Sequence, residues 1–160
     1  MSGLFTTAGS TVHIGGAKAF AGTDFTASDF SSETWTQIKG VTNLGGVGDT
    51  SELVTSDHIE SNRTRKGKGT RNAGAMELAI DLDYADAGQL AAIAAEKTKS
   101  SYGFKVTFND APAGGTPSER YFVAFVMSTR EQFNEANSVM KLMVTLEVDS
   151  NVVRVAAAEA

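Results

Sequence analysis

The sequence has no cysteine and only two prolines, and it lacks any long apolar run. Without cysteine, a disulfide scaffold, a thiolate zinc site and a cysteine nucleophile are all excluded. No apolar run approaches the roughly 18 residues of a transmembrane helix, so we expect no membrane partner. The first thirty residues lack a basic start followed by an apolar stretch, which predicts no secretory signal.

Basic residues are the minority among the charged side chains. Lysine and arginine number 14 against 19 aspartates and glutamates, which gives a net charge of −5 and an isoelectric point near 5.0. A chain with this balance binds nucleic acid only where a local basic patch offsets the average. The length of 160 residues and the 41% hydrophobic content suit a single domain with a proper core.

Glycine is abundant, and short runs of alternating polarity lie between the glycine-rich segments. Sixteen glycines in such an arrangement indicate a mainly β protein with many turns. The clearest strand runs from Gly74 to Asp83, where apolar residues from Met76 to Leu82 alternate with acidic or small ones. Arg120–Met127 is apolar on both faces, which predicts a central strand. Other strands are predicted at Glu33–Lys39, 102–108 and 138–149.

One helix is predicted, at about residues 87–98. Asp86 is placed to cap its N-terminus, and Gln89 follows three residues later as in a capping box. Leu90 and Ile93 begin a narrow apolar stripe that we expect to face the core.

We divide the chain into an N-terminal arm (1–32), a β domain (33–155) with a long loop (40–73), and a frayed C-terminal tail (156–160). The arm carries three phenylalanines five residues apart, a spacing that suits neither a helix stripe nor a strand face: Phe20, Phe25 and Phe30. We interpret them as anchors that pin the arm onto another surface, a neighbouring subunit being one candidate.

The residues of common catalytic and metal sites are not arranged for chemistry. His13 and His58 have no ligand partner at metal-site spacing, so we interpret both as ordinary surface or half-buried side chains. No G-x-S-x-G motif occurs, and no acid–base pair stands out among the carboxylates. The stretches Gly45–Gly48 and Gly67–Thr70 complete neither phosphate-loop motif. We therefore expect no enzyme activity, no metal and no cofactor.

A basic loop is the strongest local charge feature, with no carboxylate between Glu60 and Glu77. Its five basic side chains lie within nine positions: Arg63, Arg65, Lys66, Lys68 and Arg71. Three interpretations are open: contact with nucleic-acid phosphates, docking on an acidic patch of a partner subunit, or a solvated loop. No aromatic residue is interleaved for base stacking, and residues 1–62 hold seven carboxylates against two basic residues. We favour assembly.

Acidic residues form two rows on predicted strands. Glu77, Asp81 and Asp83 share one face, and Glu147 and Asp149 share another. Such rows are common on the solvated face of an antiparallel sheet, and they also suit the lining of a channel.

The order of these segments has a counterpart in a known family. The strand and glycine loop TWTQIKGVTNLGGVGD precede the Arg/Lys/Gly loop, the strand GAMELAIDLDYAD and the helix DAGQLAAIAAEKT. The strands YGFKVTFND, RYFVAFVMS and SVMKLMVTLEVDSNVVRV follow. From about Trp35 to Val155 the chain resembles the major tail tube proteins of long non-contractile, siphovirus-type phage tails. The Phe-bearing arm is longer than that pattern leads us to expect.

The resemblance implies a β-sandwich or partly open barrel with one flanking α-helix. Six copies would form a ring whose inner strands join into one β-barrel. Rings would stack around a tape-measure protein and conduct DNA without binding it specifically, with tail-tip and terminator proteins as further partners. The protein would reside in the virion tail after assembly in the host cytoplasm.

In that setting the acidic rows would line the lumen and repel DNA phosphates, because a basic wall would hold DNA back. The basic loop would contact neighbouring subunits or rings. Two alternatives stay open: a secretion-tube subunit of a contractile injection system, and a small nucleic-acid-binding β domain that uses loop 63–71.

Overall fold

The computed structural model describes residues 4–159 and shows a mainly β chain with one α-helix, as the sequence predicts. These residues form α1 (Ala87–Glu96), a 3-10 turn (Ala27–Phe30) and the strands β1 (Thr11–Ala17), β2 (Thr36–Ile38), β3 (Val41–Asn43), β4 (Thr50–Ser56), β5 (Arg65–Asn72), β6 (Ala75–Asp81), β7 (Tyr102–Thr107), β8 (Glu119–Gln132), β9 (Lys141–Val148) and β10 (Val153–Val155). Within residues 4–159, no helix combines the length and apolarity needed to cross a membrane.

Eight strands form one antiparallel sheet, in the order β2-β1-β7-β8-β9-β6-β3, with β10 pairing β8 beyond the end of β9. The strands at the two ends of this order, β2 and β3, are consecutive in the chain and separated only by Lys39 and Gly40. The sheet therefore curls until its ends meet at this corner. It stays open, because β2 and β3 do not pair with each other.

The main core fills the inside of the curled sheet. Each long strand contributes one face of alternating apolar side chains, such as Met76, Leu78 and Ile80 of β6. A second, smaller cluster lies on the other face of β8, where Val123 packs with Phe30 and Val153. The prediction of a central strand covered on both sides is therefore confirmed for β8.

Helix α1 is fixed to the corner by one buried side chain. Gln89 Nε2 donates hydrogen bonds to the carbonyl oxygens of Lys39 (3.0 Å) and Asp81 (2.9 Å), and its Oε1 accepts one from the Asp83 N–H (2.9 Å). Asp86 caps the helix as predicted, accepting from the Gln89 N–H at 3.1 Å. The Gln89 side chain does not complete a capping box, because its Oε1 accepts from the Asp83 N–H, while the Asp86 N–H donates to the Asp83 carbonyl oxygen.

The predicted apolar stripe of the helix is wrong for Leu90, although Ile93 is half-buried and packs against the main core. The helix buries Gly88, Gln89, Ala92 and Ala95, whereas Leu90 is exposed. Small residues are required because the helix lies directly on strand backbone, leaving no room at Gly88 for a Cβ beside the carbonyl of Gln37.

Two of the predicted boundaries also need correction. The arm over 1–32 is not separate, since β1 lies inside the sheet between β2 and β7; its first three residues lie outside the described range. The tail over 156–160 is pinned rather than frayed as far as it is described, because Ala158 and Thr116 exchange backbone hydrogen bonds. Position 160 lies outside the described range.

Candidate assembly surfaces

The predicted loop over 40–73 contains a separate two-stranded ribbon. Strands β4 and β5 pair with one another and with no other strand of residues 4–159. The predicted basic loop is therefore corrected: most of it is β5, and Arg63 lies in the turn that joins the two strands. The pattern was hidden because glycine and charged residues have low strand propensity.

Nearly the whole ribbon is exposed to solvent, including its apolar side chains. Leu53 is 66% exposed, Val54 is 53% exposed, and Ile59 at the tip is fully exposed. An isolated two-stranded hairpin is marginally stable in water. Exposed apolar side chains of this kind are typical of a surface that another protein covers.

The five basic residues do not form one group. Arg63, Arg65, Lys66 and Lys68 lie along the exposed ribbon. Arg71 lies at the ribbon root, where its Nη2 contacts Asp49 Oδ2 at 2.7 Å.

Asp149 of the second predicted acidic row also lies at the ribbon root. Arg71, Asp49, Asp24 and Asp149 line a hollow of about 320 Å³ beside the ribbon root. Of these three carboxylates, only that of Asp49 forms a salt bridge with Arg71. This arrangement suits holding the ribbon in place better than lining a channel.

The two predicted acidic rows share a face, which corrects the expectation that they differ. In the antiparallel pairing of β6 with β9, Glu77 faces Thr145 and Glu147 faces Ala75. Both glutamates are exposed and neither has a salt bridge within residues 4–159. They belong to the uncovered outer face of β6 and β9.

The other two residues of the first row have different surroundings. Asp81 Oδ1 lies 2.6 Å from Lys141 Nζ across the two strands, so its charge is balanced. Asp83 lies beyond the end of β6, in the turn before α1, where its Oδ1 accepts from the Ala85 N–H at 2.9 Å. The unbalanced acidic charge on this face therefore rests on Glu77 and Glu147.

The three phenylalanines of the predicted arm pack on the chain's own sheet. Phe30 is buried and stacks on Tyr121 of β8, with ring centroids 5.2 Å apart. Phe25 contacts Phe30 edge-on at 5.4 Å, and Phe20 contacts Phe25 at 5.7 Å. Trp35, which sequence reasoning did not single out, stacks on Phe30 at 6.4 Å. The phenylalanine row thus runs from the core outwards, ending at a partly exposed Phe20.

A cleft of about 520 Å³ opens where the first residues of β6 and β10 approach the end of β7. Arg120 of β8 and Arg154 of β10 line it and face each other as a cross-strand pair. Sequence reasoning missed both, because Arg120 starts an apolar strand and Arg154 lies near the C-terminus. The alternation of β8 could have indicated Arg120, because this basic residue shares the inward-facing side of the strand with the buried Phe122 and Ala124.

Among residues 4–159 no group of three or more His, Asp or Glu side chains is arranged to hold a metal ion. His13 is half-buried in β1, and its Nδ1 is buried without a hydrogen-bond partner. Burial is the main cause that lowers the pKa of His13, and the nearby Lys105 lowers it further.

The comparisons with known proteins point in one direction. The family model described as phage tail tube protein, TTP, matches residues 7–157. No curated protein matches the chain.

Three solved structures share the fold. A chain of the anti-feeding prophage baseplate matches with a TM-score of 0.70 at 13% identity, covering 98% of this chain and 98% of that one. A chain of the sheath/tube terminator of the extracellular contractile injection system PVC gives 0.70 at 13% identity, covering 97% and 99%. The SPP1 tail tube gives 0.64 at 12% identity, covering 94% and 78%.

At such low identity the structural matches concern the fold alone, and the match to the family model spans nearly all of the sequence. This chain belongs to the phage tail tube protein family.

Proposed function

We propose that this protein is the structural subunit of a phage tail tube, which assembles into stacked hexameric rings around a DNA-conducting channel. It acts in the virion tail after assembly in the host cytoplasm, and its further partners are a tape-measure protein and the tail-tip and terminator proteins. Family membership supports the tube role, and the ring number and these partners belong to the proposal.

The exposed ribbon is the observation that carries the proposal. It extends from the domain with Leu53, Val54 and Ile59 uncovered, and its two strands find no third strand within residues 4–159. Covering these side chains with a second copy would remove apolar area from water, at about 25 cal/mol per Å². A subunit with such a ribbon gains stability on self-assembly.

The open sheet offers a second route to assembly. Because β2 and β3 end the strand order, each has one side with no strand paired to it in residues 4–159. Exposed strand edges invite pairing with another chain, and closing a ring of sheets removes them. We infer that inner strands of neighbouring subunits join into a ring-wide barrel.

The outer face of β6 and β9 is our candidate for the channel wall. It is uncovered, and its unbalanced charges are Glu77 and Glu147. An acidic wall repels phosphates, so DNA would pass without the counterion release that makes basic surfaces adhesive.

The lumen assignment has its own test. Tubes that carry Glu77→Lys with Glu147→Lys should retain short duplex DNA at low salt, and wild-type tubes should not. Glu135→Lys, in the exposed loop between β8 and β9, is the matched control. Equal DNA retention by all three would reject this face as the wall.

A secretion-tube subunit of a contractile injection system is the second candidate, since structures from such systems share the fold. Both roles use the same self-assembly. The nucleic-acid-binding alternative is disfavoured by the ribbon itself, which contains no aromatic residue and has Asp57 and Glu60 at its tip.

Negative-stain electron microscopy across a concentration series tests the proposal. We expect hollow tubes or rings of uniform width, and none from a variant whose residues 52–69 are replaced by Gly-Gly. Thermal unfolding must show that this variant retains the folded domain. A wild-type protein that stays monomeric at every concentration and binds DNA in a salt-dependent way would overturn the tube assignment.

A further inference from the structure

Arg120 and Arg154 place two positive charges side by side in the 520 Å³ cleft. Like charges directly opposite each other on neighbouring strands destabilise a sheet. Neither guanidinium forms a salt bridge within residues 4–159. Burial lowers the pKa of Arg120, the charge of Arg154 lowers it further, and Asp110 acts in the opposite direction. Two positive charges therefore face one nearby carboxylate, and neither forms an ion pair in the isolated subunit.

The acid that lines the cleft beside this pair already accepts two hydrogen bonds. Asp110 lines the same cleft, and its two oxygens accept hydrogen bonds from the Ser118 N–H (2.8 Å) and hydroxyl (2.6 Å). These bonds hold the pKa of Asp110 below its usual range. The guanidinium of Arg120 instead lies over the Phe108 ring, 4.7 Å from its centroid. Arg120 Nη1 donates to the Glu119 carbonyl oxygen at 3.0 Å, so an incoming carboxylate would meet the remaining donors of Arg120 and the exposed guanidinium of Arg154.

The floor of the cleft is apolar. Met76, Val106 and Val152 line it together with Leu44 and Val47 of the loop after β3. A site with an apolar floor and two cations at its rim suits a ligand that has an apolar side chain between carboxylates.

The tip of the ribbon has this chemistry. Its sequence Asp57-His58-Ile59-Glu60 places a fully exposed isoleucine between two acids. The tip cannot reach the cleft of its own chain. Val47 and Met76 of the cleft lie three residues before and four residues after the ribbon, while the seven residues of β4 carry the tip roughly 23 Å away.

We propose that the cleft of one subunit receives the ribbon tip of a neighbouring copy. Ile59 fills the apolar floor, and Asp57 and Glu60 pair with Arg120 and Arg154. This inference rests on the proposed function, because it requires that the chain self-assembles. Charge complementarity selects the occupant: the acidic and apolar turn of the ribbon meets a cleft that holds two arginines and one acid, Asp110, which already accepts two hydrogen bonds from Ser118.

Directed cross-linking tests the contact. Because the chain contains no cysteine, a disulfide can form only between the introduced residues. Ile59→Cys and Val152→Cys are made in separate chains, and each is checked for wild-type thermal unfolding. Tubes assembled from an equal mixture of the two should convert up to about half of their monomer to a covalent dimer on mild oxidation, because random mixing places a partner cysteine opposite half of the introduced cysteines. Tubes of either variant alone should stay monomeric on a denaturing gel.

The failures of the two proposals are distinguishable. Tubes that form from the mixture without covalent dimer would overturn the tip-in-cleft contact and leave the tube role standing. A wild-type chain that forms no tubes or rings would overturn the proposed function, and the contact would fall with it.

Charge reversal gives a second measurement. Arg154 is exposed, so Arg154→Glu should fold normally and raise the concentration needed for assembly about tenfold. Combining it with Asp57→Arg or Glu60→Arg should restore assembly in at least one case. Arg130→Glu, on the exposed far end of β8, is the matched control. Unchanged assembly by Arg154→Glu, or a loss of DNA binding as its sole effect, would overturn the proposal.

Discussion

Gly88 of the helix lies directly against the backbone of Gln37 in β2, so that a Cβ at this position would overlap the Gln37 carbonyl. Alanine raises helix propensity by about 1 kcal/mol over glycine, which by itself would stabilise the helix. Overpacking costs about 1–3 kcal/mol, and here the obstacle is backbone, which cannot rotate away.

We therefore expect Gly88→Ala to lower the free energy of unfolding by up to about 2 kcal/mol net in urea denaturation. The control is Gly46→Ala, at a position where a Cβ meets no atom within 4 Å. A more stable Gly88→Ala protein would mean that the helix shifts at little cost.

Gln89 should be the most sensitive polar residue of the core. Its side chain serves the backbone of Lys39, Asp81 and Asp83, and replacing it with methionine leaves those groups without partners. We expect Gln89→Met to cost about 3 kcal/mol, because each unsatisfied buried group costs about 1–3 kcal/mol. Gln132→Met, at the exposed end of β8, should stay within about 0.5 kcal/mol of wild type. Equal stability of the two variants would contradict this role.

His13 makes stability depend on pH. Burial and Lys105 lower its pKa in the folded state, while Glu119 acts in the opposite direction. The stabilising contribution of the neutral imidazole is present above the unfolded pKa of about 6.5 and is lost as the pH falls through the folded pKa.

We expect the free energy of unfolding to fall between pH 7 and pH 5 by more in wild type than in His13→Gln. His58→Gln, at the exposed ribbon tip, should keep the wild-type dependence. A His13→Gln protein with an unaltered pH profile would show that other groups cause the decline.

The Arg71–Asp49 contact should set how firmly the ribbon is held at its root. The arginine is largely exposed, so the pair contributes about 0.2–1 kcal/mol, enough to change local opening without changing global stability. In hydrogen exchange, Arg71→Met should speed exchange of the β4 and β5 amides by up to about fivefold. Arg63→Met, in the turn, should leave the exchange rates unchanged. Protection that is equal in both variants would argue against this attachment.

The strands of the core were predictable because their burial follows period two. Leu142, Val144, Leu146 and Val148 of β9 are buried as the alternation requires, and β8 is covered on both faces as its double-sided apolar pattern predicts. The sequence Thr11-Val12-His13-Ile14 also indicates a short strand, and β1 begins there, although the predicted division of the chain places it in a separate arm. Its place inside the sheet depends on partners far along the chain.

The candidate surfaces were harder to predict than the core. Alternation assigned Glu77 and Glu147 to rows, but only the β6–β9 register shows that the two share a face. The β5 strand was invisible because glycine and lysine give no strand signal, and its ladder with β4 is what holds it extended. The cleft arginines come together through the pairing of β10 with β8, which no local pattern encodes.

The ribbon between Asp49 and Arg71 stands outside both hydrophobic clusters, so its sequence can change without repacking the core. Substitutions in the ribbon are then limited mainly by the surface that the ribbon contacts, and only slightly by the stability of the fold. The body and the contact element can diverge at different rates, provided that each tip changes together with its receiving cleft. We expect that a ribbon grafted from one family member onto another decides which subunits the recipient assembles with. The partner choice of a subunit could then be changed without changing the fold of its core.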